Sequence, residues 1–147
     1  MAASGRVVLD DRLLIEELLA GLPIRRPRVE LFTTTYWYYR ACRAAVAGGG
    51  GHLSGPFEQL GADEQARAIL SLLELRKDIG LPDPRATVPA MARIASRHPR
   101  LNVLNLEAAA LAKLLLASVW LSEQSAGGVL PAVFETEGVP WSTITVH

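Results

Sequence analysis

Short apolar runs alternate with amphipathic stretches along the chain. Arg6-Val7-Val8-Leu9 is a β-branched run that stops at Asp10, an Asx residue able to cap a following helix. Leu14, Ile15, Leu18 and Leu19 then recur at helical spacing until Gly21, a helix stop before Leu22-Pro23. Pro23 to Arg28 holds two prolines and three arginines and reads as surface connector. Val29 to Thr35 predicts a second strand. Tyr36 to Val46, free of Gly and Pro, predicts a second helix, and Gly48 to Gly51 predicts a flexible break. Asp63 to Ile79 carries Ala66, Ile69, Leu70 and Leu73 at helical spacing and is closed by Gly80; Pro89 to His98 repeats the pattern. Leu101 to Leu104 predicts a third strand, Asn105 a helix cap, Leu106 to Leu116 a buried Ala/Leu-rich helix, and Val119 to Leu121 a fourth strand. Gly127 to Glu137 predicts a last helix closed by Gly138, and Pro140 to Val146 a fifth strand. Strands alternating with helices imply an α/β fold, a three-layer α/β/α sandwich with a mostly parallel sheet of about five strands.

Composition narrows the class. A chain of 147 residues has the length of one domain, expected over 1–147, and 50% hydrophobic against 20% charged residues, with mean hydropathy +0.20, excludes intrinsic disorder. The richest apolar stretch, Leu114 to Ser122, falls far short of the ~20 residues a membrane helix needs. The N-terminus is too polar for a signal peptide, with Asp10 and Asp11 already in place, so a cytoplasmic protein is expected. Cys42 is the lone cysteine, which rules out an intramolecular disulfide and thiolate metal sites. Net charge is zero but unevenly spread. Arg76, Lys77, Arg85, Arg93, Arg97 and Arg100 face only Asp78 and Asp83, whereas Glu107, Glu123, Glu135 and Glu137 later face Lys113 alone.

Open α/β sheets bind ligands at the carboxyl ends of their strands, so the informative residues are those that follow each apolar run. Asp10 follows the first strand, Glu107 opens the helix after the predicted third, and Glu123 follows the fourth. Carboxylates converging on one edge are the oxygen ligands that Mg²⁺ and Mn²⁺ prefer, and such an ion can activate water against a phosphodiester. The glycine run is no phosphate loop, because His52-Leu53 stands where a Lys and a Ser or Thr are needed. Tyr36-Trp37-Tyr38-Tyr39 gathers four of the nine aromatics in one helical turn, which forces some of them outward. With Arg40 and Arg43 they predict a stacking surface for RNA bases, a homodimer face, or two rings packed in the core with two at its edge.

These pieces together resemble the PIN domain, the small α/β/α nuclease fold of toxin ribonucleases in bacterial toxin and antitoxin pairs. Val7 to Ile15 is similar to the family's apolar strand ending in a metal-binding Asp. Ala108 to Ala117 with Val119-Trp120-Leu121-Ser122-Glu123-Gln124 resembles its Ala-rich helix and the strand ending in Thr-x-Asp. Ala132 to Pro140 is similar to its final helix and the Gly-Val before strand five. The resemblance implies a five-stranded parallel sheet, a Mg²⁺ or Mn²⁺ site and RNA as substrate. Asp10 carries over directly, Glu107 and Glu123 approximately, with Ser122 or Gln124 positioning water or phosphate. It also implies an antitoxin-like protein partner. The family places a glutamate on the helix after strand two, and no acid lies between Glu30 and Glu58 here. Two readings follow: a Mg- or Mn-dependent endoribonuclease with an incomplete metal site, or a non-catalytic PIN-like binding or dimerisation module. A second resemblance, to two-component receiver domains through Asp10-Asp11 and Asp78, fails because a charged helix tail rather than an apolar strand precedes Asp78.

Overall fold

The computed structural model describes residues 5–22, 29–47 and 53–146. The predicted connector 23–28 and the glycine run 48–51 lie outside the described residues. The first strand, β1 (Arg6–Leu9), buries Val7, Val8 and Leu9 and runs at the centre of the sheet. α1 (Asp11–Leu19) follows at once and ends before Gly21, whose φ of +84° suits a residue without a Cβ. β2 (Glu30–Thr33) pairs with β1, with Val8 opposite Phe32, and leads into α2 (Thr35–Ala47). The short α3 (Gly55–Glu58) and the longer α4 (Ala62–Leu73) return the chain to β3 (Ile79–Gly80). α5 (Pro84–Arg97) and α6 (Val103–Leu115) cross to β4 (Ser118–Leu121), and α7 (Glu123–Ala126) and α8 (Leu130–Glu137) cross to β5 (Trp141–Thr143).

All four pairings are parallel and the order is β3-β2-β1-β4-β5. The α/β sandwich expected from the hydrophobic pattern is therefore the one observed. Alternate residues of β1 feed two cores. Val8 joins Val119, Leu121, Trp37 and the apolar faces of α5, α6 and α8 on one side, while Val7 and Leu9 join Leu31, Ile79 and the faces of α1, α2 and α4 on the other. Among the described residues no helix is long and apolar enough to cross a membrane.

Three predicted elements are corrected. The helix expected to run to Ile79 stops at Leu73, and Ile79-Gly80 is the edge strand β3. Ile79 buries its side chain opposite Leu31, and a Cβ on Gly80 would run into the Phe32 ring, so strand pairing outweighs the helical pattern there. Leu101 to Leu104 is not a strand: Asn102, not Asn105, caps α6, its side chain accepting from the Asn105 N–H at 3.0 Å. The sheet still has five strands because β3 fills the count. The last predicted helix divides into α7 and α8 at Gly127-Gly128.

Candidate functional site

The connections leave β1 and β4 in opposite directions, so the crevice between their carboxyl ends is the switch point of the sheet, where this class of fold places its ligands. Asp10 ends β1 there and is fully buried. Its Oδ1 accepts from the Leu13 N–H at 2.9 Å, which caps α1. Its Oδ2 accepts from the Ser122 N–H at 2.8 Å and the Ser122 hydroxyl at 2.6 Å. Ser122, at the start of α7, gives its hydroxyl to Asp10 rather than to its own helix. The sequence places both residues at this edge, and the structure joins them directly.

Glu107 lies within α6 rather than at its opening, and it reaches across to α2. Its Oε2 accepts from the Thr35 N–H and its Oε1 from the Tyr36 N–H, each at 3.0 Å. Thr34 completes that helix start by accepting from the Trp37 N–H. Thr33 donates its hydroxyl to the Leu9 carbonyl and so ties β2 to the end of β1. Glu123 lies apart from both acids in role: it is exposed at the start of α7, and its Oε2 accepts from the Thr145 hydroxyl at 3.3 Å.

Asp11, one residue past the cap, is buried and faces the second helix. Its Oδ2 is 2.9 Å from Nε of Arg40, a contact whose N–H does not point along the line between them, so it is an ion pair without a directed hydrogen bond. Burial pushes the Asp11 carboxyl up to about 6; the Asp10 charge adds to the rise and the Arg40 charge opposes it. Around this pair is a cavity of about 200 Å³, lined by Asp11, Trp37, Arg40, Asn105, Gln124 and Leu130 among others. Asn105 and Asp11 are the members that sequence reasoning missed. The signal was available: once Asn102 is the cap, Asn105 is free to face outward. Two successive acids at a strand end likewise leave the second in need of a partner.

The aromatic turn divides as helical geometry requires. Trp37 is buried in the core, Tyr38 is half-buried with its hydroxyl donating to the Leu72 and Leu73 carbonyls, and Tyr36 and Tyr39 are exposed. Arg43 shares the exposed stripe, three to four residues beyond Tyr39 and Arg40.

The donor set does not fit Mg²⁺ or Mn²⁺. Both oxygens of Asp10 and both of Glu107 already accept from the protein's own donors, Glu123 is held elsewhere, and the helix after β2 supplies the cation Arg40 to this edge. Among the described residues no group of three His, Cys, Asp or Glu side chains is placed to hold a metal ion.

No family model matches the chain, and no curated protein matches its sequence significantly. Among solved structures, the chain is similar to VapBC-1 from nontypeable Haemophilus influenzae. The superposition has a TM-score of 0.53 and 15% sequence identity, covering 94% of this chain and 97% of that one. The fold is PIN-like. At that identity the likeness speaks for the architecture, and the chemistry of the strand-end edge has to be read from this chain's own residues.

Proposed function

We propose that the protein is a PIN-like binding module that does not cut RNA. The observation that carries this reading is the state of the strand-end edge: Asp10 and Glu107 serve as hydrogen-bond acceptors for α1, α7 and α2, and Arg40 stands against Asp11. Asp10 accepts three hydrogen bonds and Glu107 two out of roughly four positions each, which weakens both as ligands for a hard cation, and a guanidinium nearby repels one. The ribonuclease reading would need Asp10, Glu107 and Glu123 to converge on a common ion in competition with the six hydrogen bonds they accept.

As a module the protein engages a partner. The exposed Tyr36 and Tyr39 beside Arg43 form an aromatic and basic stripe suited to a protein interface, either a second copy of the chain or a partner of the antitoxin kind that PIN toxins meet. RNA could stack on the same stripe without being cleaved.

Calorimetric titration of Mn²⁺ into the purified chain, with a parallel RNA cleavage assay, tests the reading. No saturable Mn²⁺ binding and no metal-dependent cleavage are expected. Sub-millimolar binding lost in Asp10→Asn, together with cleavage by the wild type, would restore the nuclease.

A further inference from the structure

The cavity at the strand ends is not isolated. Asn105 and Val129, which line it, also line a wider recess of about 490 Å³ walled by the turn from Arg97 to Asn102 between α5 and α6. The two chambers differ sharply in charge. In the inner one a single carboxylate, Asp11, and a single guanidinium, Arg40, balance each other, and the amides of Asn105 and Gln124 each offer a donor and an acceptor. The outer one is lined by Arg97, His98, Arg100 and Asn102 and by no carboxylate. Arg97 and His98 share Glu137 with Lys113, whereas Arg100 has no ion-pair partner among the described residues.

We infer that the two chambers form one bipartite site for a nucleoside monophosphate, with a neutral, hydrogen-bonding base in the inner chamber and the phosphate in the outer recess. The inference rests on the preceding reading that this edge holds no cation. A second anion in the inner chamber would face Asp11, and a second cation would face Arg40, so a neutral ring carrying both donors and acceptors is the group the chamber accommodates. Trp37, Leu104 and Leu130 give that ring apolar walls. Arg40, whose Nε is turned to Asp11 at 2.9 Å, lines the chamber beside the Asn105 and Gln124 amides, which supply the donors and acceptors for the ring. Outside, the Arg100 fork matches a phosphate, and the neighbouring guanidinium of Arg97 adds to the positive potential. The combined volume lies in the range of ~300 to 1,000 Å³ usual for small-ligand sites. An acidic peptide would satisfy the outer recess and leave the inner amides without partners.

The test titrates the full chain, in the presence of a metal chelator, with the four common nucleoside 5′-monophosphates, ribose 5-phosphate, inorganic phosphate and a Glu-rich peptide, read by calorimetry. At least one nucleotide is expected to bind with a Kd of about 0.1 to 1 mM, and ribose 5-phosphate and phosphate at least about tenfold more weakly. Arg100→Ala and Gln124→Leu, both at exposed positions where folding is not at stake, should each weaken the nucleotide about tenfold. Arg93→Ala, on α5 and outside both chambers, should leave it unchanged. Equal binding of phosphate and nucleotide, preference for the peptide, or insensitivity to both site variants would each overturn the inference. Absence of nucleotide binding, with Mn²⁺ binding also absent, removes this ligand and leaves the non-catalytic reading in place. Nucleotide binding that appears only when Mn²⁺ replaces the chelator overturns both.

Discussion

Asp10 and Asp11 are adjacent in the chain, yet their surroundings give them opposite characters. Asp10 is fixed by three donors, and its position was legible in the sequence because a β-branched run followed by an Asx residue is a strand running into a capped helix. Asp11 was not legible, because its partner Arg40 lies twenty-nine residues away and only the packing of α1 on α2 brings them together. Its carboxyl is raised from 3.8 to about 6, chiefly by burial, so the folded state holds its proton more tightly than the unfolded chain does. Asp11 thus favours folding fully below about pH 4, and that contribution is lost as pH rises through 6. Asp11→Asn has no proton to lose. Urea unfolding of both proteins from pH 4 to pH 7 should show the wild type falling relative to the variant by roughly 2 to 3 kcal/mol across that window and level above it. A constant difference at every pH would mean that Asp11 is not buried beside Asp10 as described.

At the scale of elements, the start of α2 depends on a side chain from another helix. The first N–H groups of a helix have no acceptor within it, and here Glu107 of α6 takes those of Thr35 and Tyr36 while Thr34 takes that of Trp37. No spacing rule in the sequence could announce this, since the residues are some seventy positions apart; it follows from the first turn of α2 meeting α6 at the carboxyl edge of the sheet. Hydrogen exchange gives a local readout. The Thr35 and Tyr36 amides should be protected in the wild type and exchange freely in Glu107→Ala, with a global loss of about 3 kcal/mol from two charge-assisted bonds. Slow exchange that survives the substitution would assign those amides another acceptor. The edge strand β3 is the other element hidden from the sequence: two residues are too few to carry a periodic pattern, and a preceding helical stretch masks them. Its glycine is nonetheless specific, because the Phe32 ring fills the space a Cβ would need. Gly80→Ala should therefore destabilise by about 1 to 3 kcal/mol, seen as a lower urea midpoint, whereas Gly55→Ala, at the start of α3 with open space where the Cβ would go, should not.

On the scale of the whole molecule, the layer formed by α5, α6 and α8 is tied by one carboxylate. The Glu137 side chain, 2% exposed at the end of α8, accepts from Arg97 at 2.8 and 2.9 Å, from Lys113 at 2.8 Å and contacts His98 Nε2 at 2.8 Å, so three helices meet on it. The hydrogen bonds from Arg97, aided by those from Lys113 and His98 and opposed by burial, hold its carboxyl well below the usual range. The linkage runs opposite to that of Asp11. Glu137 contributes stability above the ordinary glutamate value of 4.5, and loses it as pH falls below that value. Glu137→Gln keeps the volume and removes the charge, at a cost of about 3 kcal/mol near neutrality from weakened bonds to Arg97, Lys113 and His98. Its unfolding curve should approach the wild-type curve as pH drops from about 5 toward 3. The two differences carry opposite signs, because burial raises the Asp11 carboxyl while the bonds from Arg97, Lys113 and His98 lower that of Glu137. A Glu137→Gln deficit that persists undiminished at pH 3 would mean that packing of the side chain, rather than its charge, joins the three helices.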